Sequence, residues 1–261
     1  MERFVRDLKK YYRYMLYSAE AQLKNEVAGS FLNWLWWILD PLLFMLVYTF
    51  VYAMIFGRSQ QYLCAFIFIG YSSWTFFQKS INSSVRLIKQ YRGVVSKVYV
   101  PKFALVVSTM LVQGFKLLIS LGLVLITMIL YQVPYYPTVF WLIPYLVMLF
   151  LLTFGLSMLL LHFGVFLEDL ANIVNVILRL LFYLSGIFYN IETSNMNATL
   201  RNALIHLNPT CFVITSLRNA MLYGQTPEVD WLVAWMFAGL TLSIIGIRVV
   251  YKYERRYVKA I

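Results

Sequence analysis

Residues 203–224 read ALIHLNPTCFVITSLRNAMLYG. The stretch lies between two long apolar runs, yet it carries His206, Asn208, Pro209, Arg218 and Asn219. A helix that spans a bilayer needs roughly 20 mostly apolar residues with few charges, and this stretch is too polar and too broken for that. Its apolar residues nevertheless recur at helical spacing. Met196, Leu200, Ala203, Leu204 and Leu207 make one stripe; Val213, Ile214, Leu217, Ala220 and Met221 make a second. Between them Asn208-Pro209 reads as a helix start, because Asn caps and Pro suits the first turn. Gly224 is a fitting stop. The pattern predicts two short helices within 195–224, each about 15 residues or roughly 22 Å long. Neither crosses a hydrocarbon core of about 30 Å. They form either a re-entrant hairpin, dipping in from one side and returning, or a pair lying flat on the membrane surface.

The rest of the chain sets the solvent. It is 61% hydrophobic and 13% charged, with a mean hydropathy of +0.71. A soluble domain would carry about 25% charged residues, so this composition needs lipid around it. The expected fold is an all-α integral membrane protein, one domain over 1–261. Its net charge of +11 is gathered beside apolar runs, as orientation signals are, and does not point to nucleic acid. Two cysteines, Cys64 and Cys211, are too few for a disulfide framework. The first thirty residues show no short apolar core with a cleavage site, so no signal peptide is expected.

Residues 1–30 read as an interfacial amphipathic helix. Phe4, Val5, Leu8, Tyr11, Tyr12, Met15 and Leu16 fall at helical spacing, with Arg6, Lys9, Lys10 and Arg13 between them. Six spans follow, at about 32–56, 62–85, 103–131, 139–163, 171–190 and 231–251. Lys and Arg number six before residue 32, five in 86–102 and four in 252–261. The opposite connections hold only Arg58, Arg201 and Arg218. Both termini are therefore expected to be cytoplasmic, and 191–230 faces outward. The turn at 164–170, with Glu168 and Asp169 and no cation, is the exception, and acidic residues weigh little in that rule.

Catalytic and metal motifs are missing. No G-x-x-x-x-G-K-[ST] cradles a phosphate, and no H-E-x-x-H or Cys/His cluster holds a metal. Glu168-Asp169 is the only adjacent acidic pair, and neighbours on a short turn point apart. No catalytic residue, no metal and no cofactor in this chain are expected; it is not read as an enzyme. Charges inside spans ask for a role. Asp40, Lys79, Lys116 and Arg179 are such charges. Lys116 and Arg179 either meet an anionic substrate in a polar conduit or pair with Asp40, Glu168 or backbone carbonyls. On the first span Trp34, Trp37, Pro41, Phe44, Tyr48 and Tyr52 recur at three- and four-residue steps. Such a face either stacks on sugar rings or packs on lipid and neighbouring helices.

Three stretches carry a family resemblance. FIGYSSWTFFQKSINSSVRLIKQYRGVVSKVYVPK (68–102), VFLEDLANIVNVILRLLFYLSGIFYNIE (165–192) and LNPTCFVITSLRNAMLYG (207–224) resemble the second span with its loop, the fifth span and the outer signature of ABC-2 type permeases that export polysaccharides. With LDPLLFMLVYTFVYAMIFG (39–57) the likeness runs nearly end to end. It implies a permease subunit exporting an undecaprenyl-linked polymer such as O-antigen, teichoic acid or capsule across the bacterial cytoplasmic membrane. The partners it implies are a second copy, two ATP-binding-cassette subunits carrying ATP and Mg, and membrane lipid. It also implies a coupling helix near 86–97 (Arg86, Lys89, Arg92, Lys97) and a re-entrant outer gate (Asn208, Pro209, Arg218, Gly224). The sugar track it implies is lined by Trp37, Phe44, Tyr48, Tyr52, Tyr183, Phe188 and Tyr189. Three departures stand out: Glu168-Asp169 where the family has Arg-Asp, Gly186 in place of a proline, and Lys102 in place of an arginine. An ABC-2 permease for a small lipid or drug, a proton-coupled secondary transporter and a membrane glycosyltransferase remain the competing readings.

Overall fold

The computed structural model describes residues 2–29, 31–56, 61–194 and 196–260. Arg58, counted above for orientation, lies outside the described residues, as do Asn195, Met1, Ser30 and Ile261. Among the described residues the chain is helical and has no strand. Helix α1 (Glu2–Val27) is followed by a short 3₁₀ turn and α2 (Trp36–Phe56). Next come α3 (Leu63–Gln90), α4 (Arg92–Val95) and α5 (Lys102–Leu130). A second 3₁₀ turn leads into α6 (Leu142–Phe166), then α7 (Leu170–Leu184), α8 (Ala198–Leu207) and α9 (Pro209–Arg218). A π turn (Asn219–Tyr223) precedes α10 (Val229–Ala260).

Among the described residues four segments are long and apolar enough to cross a membrane: Asn33–Met54, Lys102–Leu130, Pro137–Phe166 and Val229–Glu254. The expected second and fifth spans correspond to α3 and α7. Helix α3 has the length, 28 residues, but Gln78, Lys79, Asn82 and several serines dilute its hydropathy. Helix α7 is apolar but only 15 residues long.

Helix α3 is the centre of the fold, buried along most of its length between α5, α6, α9, α2 and α7. Its serines are tolerated there because Ser72, Ser73 and Ser84 return their hydroxyls to the carbonyls of Phe68, Ile69 and Ser80. The helix runs on to Gln90, so Arg86 and Lys89 sit on its last turns. The segment 86–97 is therefore not one separate helix: a break at Tyr91 leaves only the four residues of α4 beyond it.

Helix α1 lies against α5, burying Asp7, Met15 and Ala19, and sets Phe4 edge-on to Phe103 at 4.9 Å. Val5, Leu8, Tyr12 and Leu16 stay exposed, so the expected apolar face is shared between the protein and its surroundings. The start of α1 is clasped to the end of α10. Arg3 pairs with Glu254 at 3.0 Å and donates to the Tyr99 hydroxyl at 2.8 Å, while Tyr251 donates to Asp7 at 2.9 Å. Burial and the Glu254 carboxylate raise the pKa of the Tyr99 hydroxyl, which stays protonated.

Helices α6 and α10 approach at backbone distance. A Cβ built on Gly155 would stand 2.7 Å from Ser243 N, and one on Gly239 2.9 Å from Leu152 N. Small residues allow such approach in membrane helices, and Ser243 donates across the seam to the Leu151 carbonyl at 3.0 Å. Gly155→Leu is expected to lose about 1–3 kcal/mol by overpacking and to lower the unfolding midpoint in detergent. Gly122→Leu, where an added Cβ meets nothing within 4 Å, should leave that midpoint unchanged in the same thermal-shift assay.

Candidate functional site

The broken segment of 196–224 forms two helices of ten residues each, α8 and α9, shorter than the spacing predicts. Asn208 makes the break. Its Oδ1 accepts from the backbone N–H of Thr210 and Cys211 at 3.1 and 3.4 Å and from the Thr210 hydroxyl at 2.7 Å. Pro209 takes the first helical position, where no N–H is required. The same Asn208 donates through Nδ2 to the Leu184 carbonyl and the Ser185 hydroxyl. The start of α9 is thereby tied to the end of α7.

Arg218, the last residue of α9, is 3% exposed. Its guanidinium donates to three backbone carbonyls: Phe66 at 2.9 Å, Gly186 at 2.7 Å and Ile187 at 2.7 Å. It also sits 3.5 Å over the Phe66 ring. A fixed fork of donors suits carbonyls converging from several directions. Two glycines make the room. Gly186 adopts a left-handed φ of +63, and a Cβ on Gly70 would stand 2.5 Å from the guanidinium. Both ends of α9 are thus fastened to one short connection, Leu184–Ile187. After the π turn, Gly224 closes the segment at φ +63 against the Tyr136 ring. Thr138 donates to the Ala220 carbonyl, and Asn219 donates to Glu192.

Rings from α2, α3, α7 and the connection after α7 form a continuous row. Tyr71 of α3 stacks on Phe44 of α2 with centroids 3.5 Å apart. Phe44 lies 4.1 Å from Tyr48, and Tyr48 stacks on Phe188 at 4.3 Å. Phe188 meets Phe182 edge-on at 5.3 Å, and Phe182 reaches Trp74 at 5.7 Å and Tyr183 at 5.4 Å. Phe44, Tyr48, Phe188 and Tyr183, expected from the sequence, are therefore brought together. Tyr189 joins through its hydroxyl, which donates to the Tyr183 carbonyl. Tyr52 is half-buried on α2. Trp37 stands apart, edge-on to Phe115 at 5.5 Å. Tyr71, Trp74 and Phe182 were not anticipated, although Tyr71 and Trp74 share the three-residue helical step used to read α2.

The charges within helices find partners other than those expected. Lys116 pairs with Glu26 of α1, and Asp40 lies 3.9 Å from Lys79. Asp40 is largely exposed instead of buried. Arg179 stands exposed on α7, in surroundings unlike those of Lys116. Arg86, Lys89, Arg92 and Lys97 are all exposed. Arg86 and Lys89 line a cavity of about 290 Å³ with Glu168, at the turn between α6 and α7.

A family model described as ABC-2 type transporter matches residues 15–222. The chain belongs to that family. It is similar to a protein named O-antigen export system permease protein RfbA from Myxococcus xanthus, 29% identical over 90% of each chain. It is also similar to a protein of the same name from Klebsiella pneumoniae, 24% identical over 90% of each. This ABC-2 chain is a membrane transport protein with several apolar helices.

Arg218→Lys keeps the charge but loses the fork, and is expected to cost about 3 kcal/mol, the scale of a lost hydrogen bond to a charged group. Gly70→Ala intrudes on the same guanidinium and should also lower the unfolding midpoint. In a double-mutant cycle the two losses should fall short of their sum; strict additivity would show that the contact is not shared.

Proposed function

We propose that this chain is the permease subunit of an exporter that carries a lipid-linked polysaccharide, of the O-antigen kind, across the bacterial cytoplasmic membrane. The observation that carries this reading is the likeness, over nine-tenths of the chain, to proteins named as O-antigen export permeases. The ring row supports it. Tyr71 and Tyr48 set hydroxyls beside the apolar rings of Phe44 and Phe188, a mixture of aromatic surface and polar handles that suits the C–H groups and hydroxyls of sugars. Tyr52, Tyr183 and Tyr189 extend the same aromatic surface, and Trp37 stands apart from it. Two copies enclose the conduit, their exposed faces on α2 (Leu43, Val47, Phe50) and α7 (Val176, Ile177, Leu180) turned to each other or to lipid.

In this reading six helices cross the membrane: α2, α3, α5, α6, α7 and α10. Helix α3 crosses inside the bundle, where its polar residues are shielded, and α7 completes a short crossing through the 185–187 connection. Both termini are cytoplasmic, and α8 and α9 enter from outside as a re-entrant gate. Two separate ATPase subunits bind ATP and Mg. They dock on Arg86, Lys89, Arg92 and Lys97, with α1 beside them. Helix α3 then acts as a rod of roughly 42 Å. One end bears Arg86 and Lys89, and the other offers Phe66 to Arg218. A push on the first end reaches the gate without passing through a flexible joint.

Charge reversal of Arg86, Lys89 and Arg92 to Glu should abolish co-purification with the partner ATPase and its ATP turnover in lipid. Association that survives the reversal would move the docking surface elsewhere, and association with no ATPase would sink the reading. Tyr48→Leu with Phe188→Leu should reduce export about tenfold, as loss of roughly 1.4 kcal/mol of ring contact implies, while ATPase binding stays intact. A narrow-specificity lipid or drug exporter would lose no polysaccharide transport, having none.

A further inference from the structure

Two adjoining cavities at the foot of α2 form one amphiphilic site. The first, about 70 Å³, is the more polar of the two and lies between α2, α3 and α5. Its lining includes Lys79, Lys116, Gln113, Trp37 and a single carboxylate, Asp40. The second, about 490 Å³, is apolar and runs beneath α1, with Leu16, Ala19, Leu23, Gly114 and Phe150 in its walls. Phe76 and Leu117 line both, so the two share a wall.

The polar cavity is rich in donors. The Trp37 indole N–H is buried and has no acceptor. Lys79 reaches Asp40 only at 3.9 Å, beyond hydrogen-bond distance, and both side chains remain about half exposed. Lys116 is held by Glu26, the residue before the last of α1. These groups gather where the amphipathic α1 ends and the apolar α2 begins, the level at which a lipid phosphate lies between water and hydrocarbon. The unanswered Trp37 N–H and the loosely held Lys79 ammonium are costly at that level unless an anion answers them.

We propose that this junction binds one anionic membrane phospholipid, its phosphate among Lys79, Lys116 and the Trp37 N–H, and an acyl chain in the groove under α1. The first cavity offers several times the space one water needs, room for a phosphate group. A lipid of the surrounding bilayer, always at hand beside an amphipathic α1 at its surface, is the occupant. The bound lipid joins α1 to α2, α3 and α5, and it sets the position of the amphipathic helix.

Native mass spectrometry of the purified full chain tests this, with phosphatidylglycerol, phosphatidylcholine and a polyprenyl monophosphate as separate probes. Wild type should retain one phosphatidylglycerol and prefer it over phosphatidylcholine by about fivefold for each lysine engaged. Lys79→Gln with Lys116→Gln should erase that preference. Gly114→Leu fills the groove, where an added Cβ meets only the Phe76 ring at 3.9 Å. It should release the lipid with both cations in place. Equal retention of the two phospholipids by wild type would overturn the proposal, as would unchanged phosphatidylglycerol retention in Gly114→Leu. Displacement of phosphatidylglycerol by an equal concentration of polyprenyl phosphate would overturn it too, by giving the site to the carrier lipid. If the lysine variant does not yield monodisperse protein, Gly114→Leu alone decides.

Discussion

One buried guanidinium organises the part of this molecule where α3, α7 and α9 meet. Arg218 is cut off from solvent, and a charge so placed is tolerated only when its donors are answered. The answer comes from backbone that would otherwise have none. The 184–187 connection is irregular, and its carbonyls have no helical N–H to accept from. Arg218 supplies Gly186 and Ile187, and reaches Phe66 as well. The cost of burying the charge and the cost of burying an irregular turn offset one another. Much else follows from that exchange. Residue 70 has no room for a side chain, residue 186 must turn left-handed, and α9 must end where its last residue can reach α3.

A second constraint acts at the opposite side of the bundle. Helices α6 and α10 meet with glycine at the closest points, so their contact is set by backbone shape. Helix α3 touches both units: α6 along its flank and α9 through Phe66 and Gly70. A long helix diluted with polar residues is thereby the most enclosed. Three of its hydroxyls, on Ser72, Ser73 and Ser84, fold back on carbonyls of the same helix, while the buried Ser80 hydroxyl makes no hydrogen bond.

The parts of this architecture that rest on local rules were legible in the sequence. Asn208-Pro209 and Gly224 mark a start and a stop by cap chemistry alone, and they stand where that chemistry predicts. The amphipathic α1 follows from spacing. Distant pairings were not legible. Lys116 meets Glu26 across 90 residues, and Arg3 meets Glu254 across 251. No periodicity carries such information. The break at Tyr91 was hidden because basic residues continue on both sides of it, so charge pattern masked a change of direction. The aromatic stripe on α2 was visible, but its partners Tyr71 and Phe182 lie on other helices, and only packing selects them. Trp37 shared the stripe and left the row because α2 carries it toward Phe115.

The clasp between α1 and α10 bears on how the chain is made. Residues 3 and 7 leave the ribosome well before residues 251 and 254. The amphipathic helix therefore emerges with its polar contacts unanswered and waits through the synthesis of every span. During that interval its exposed Val5, Leu8, Tyr12 and Leu16 give it a reason to rest on the bilayer. Only when α10 has inserted do Glu254 and Tyr251 arrive to capture it. The clasp thus serves as a completion mark: an ordered first helix signals that the final one is in place.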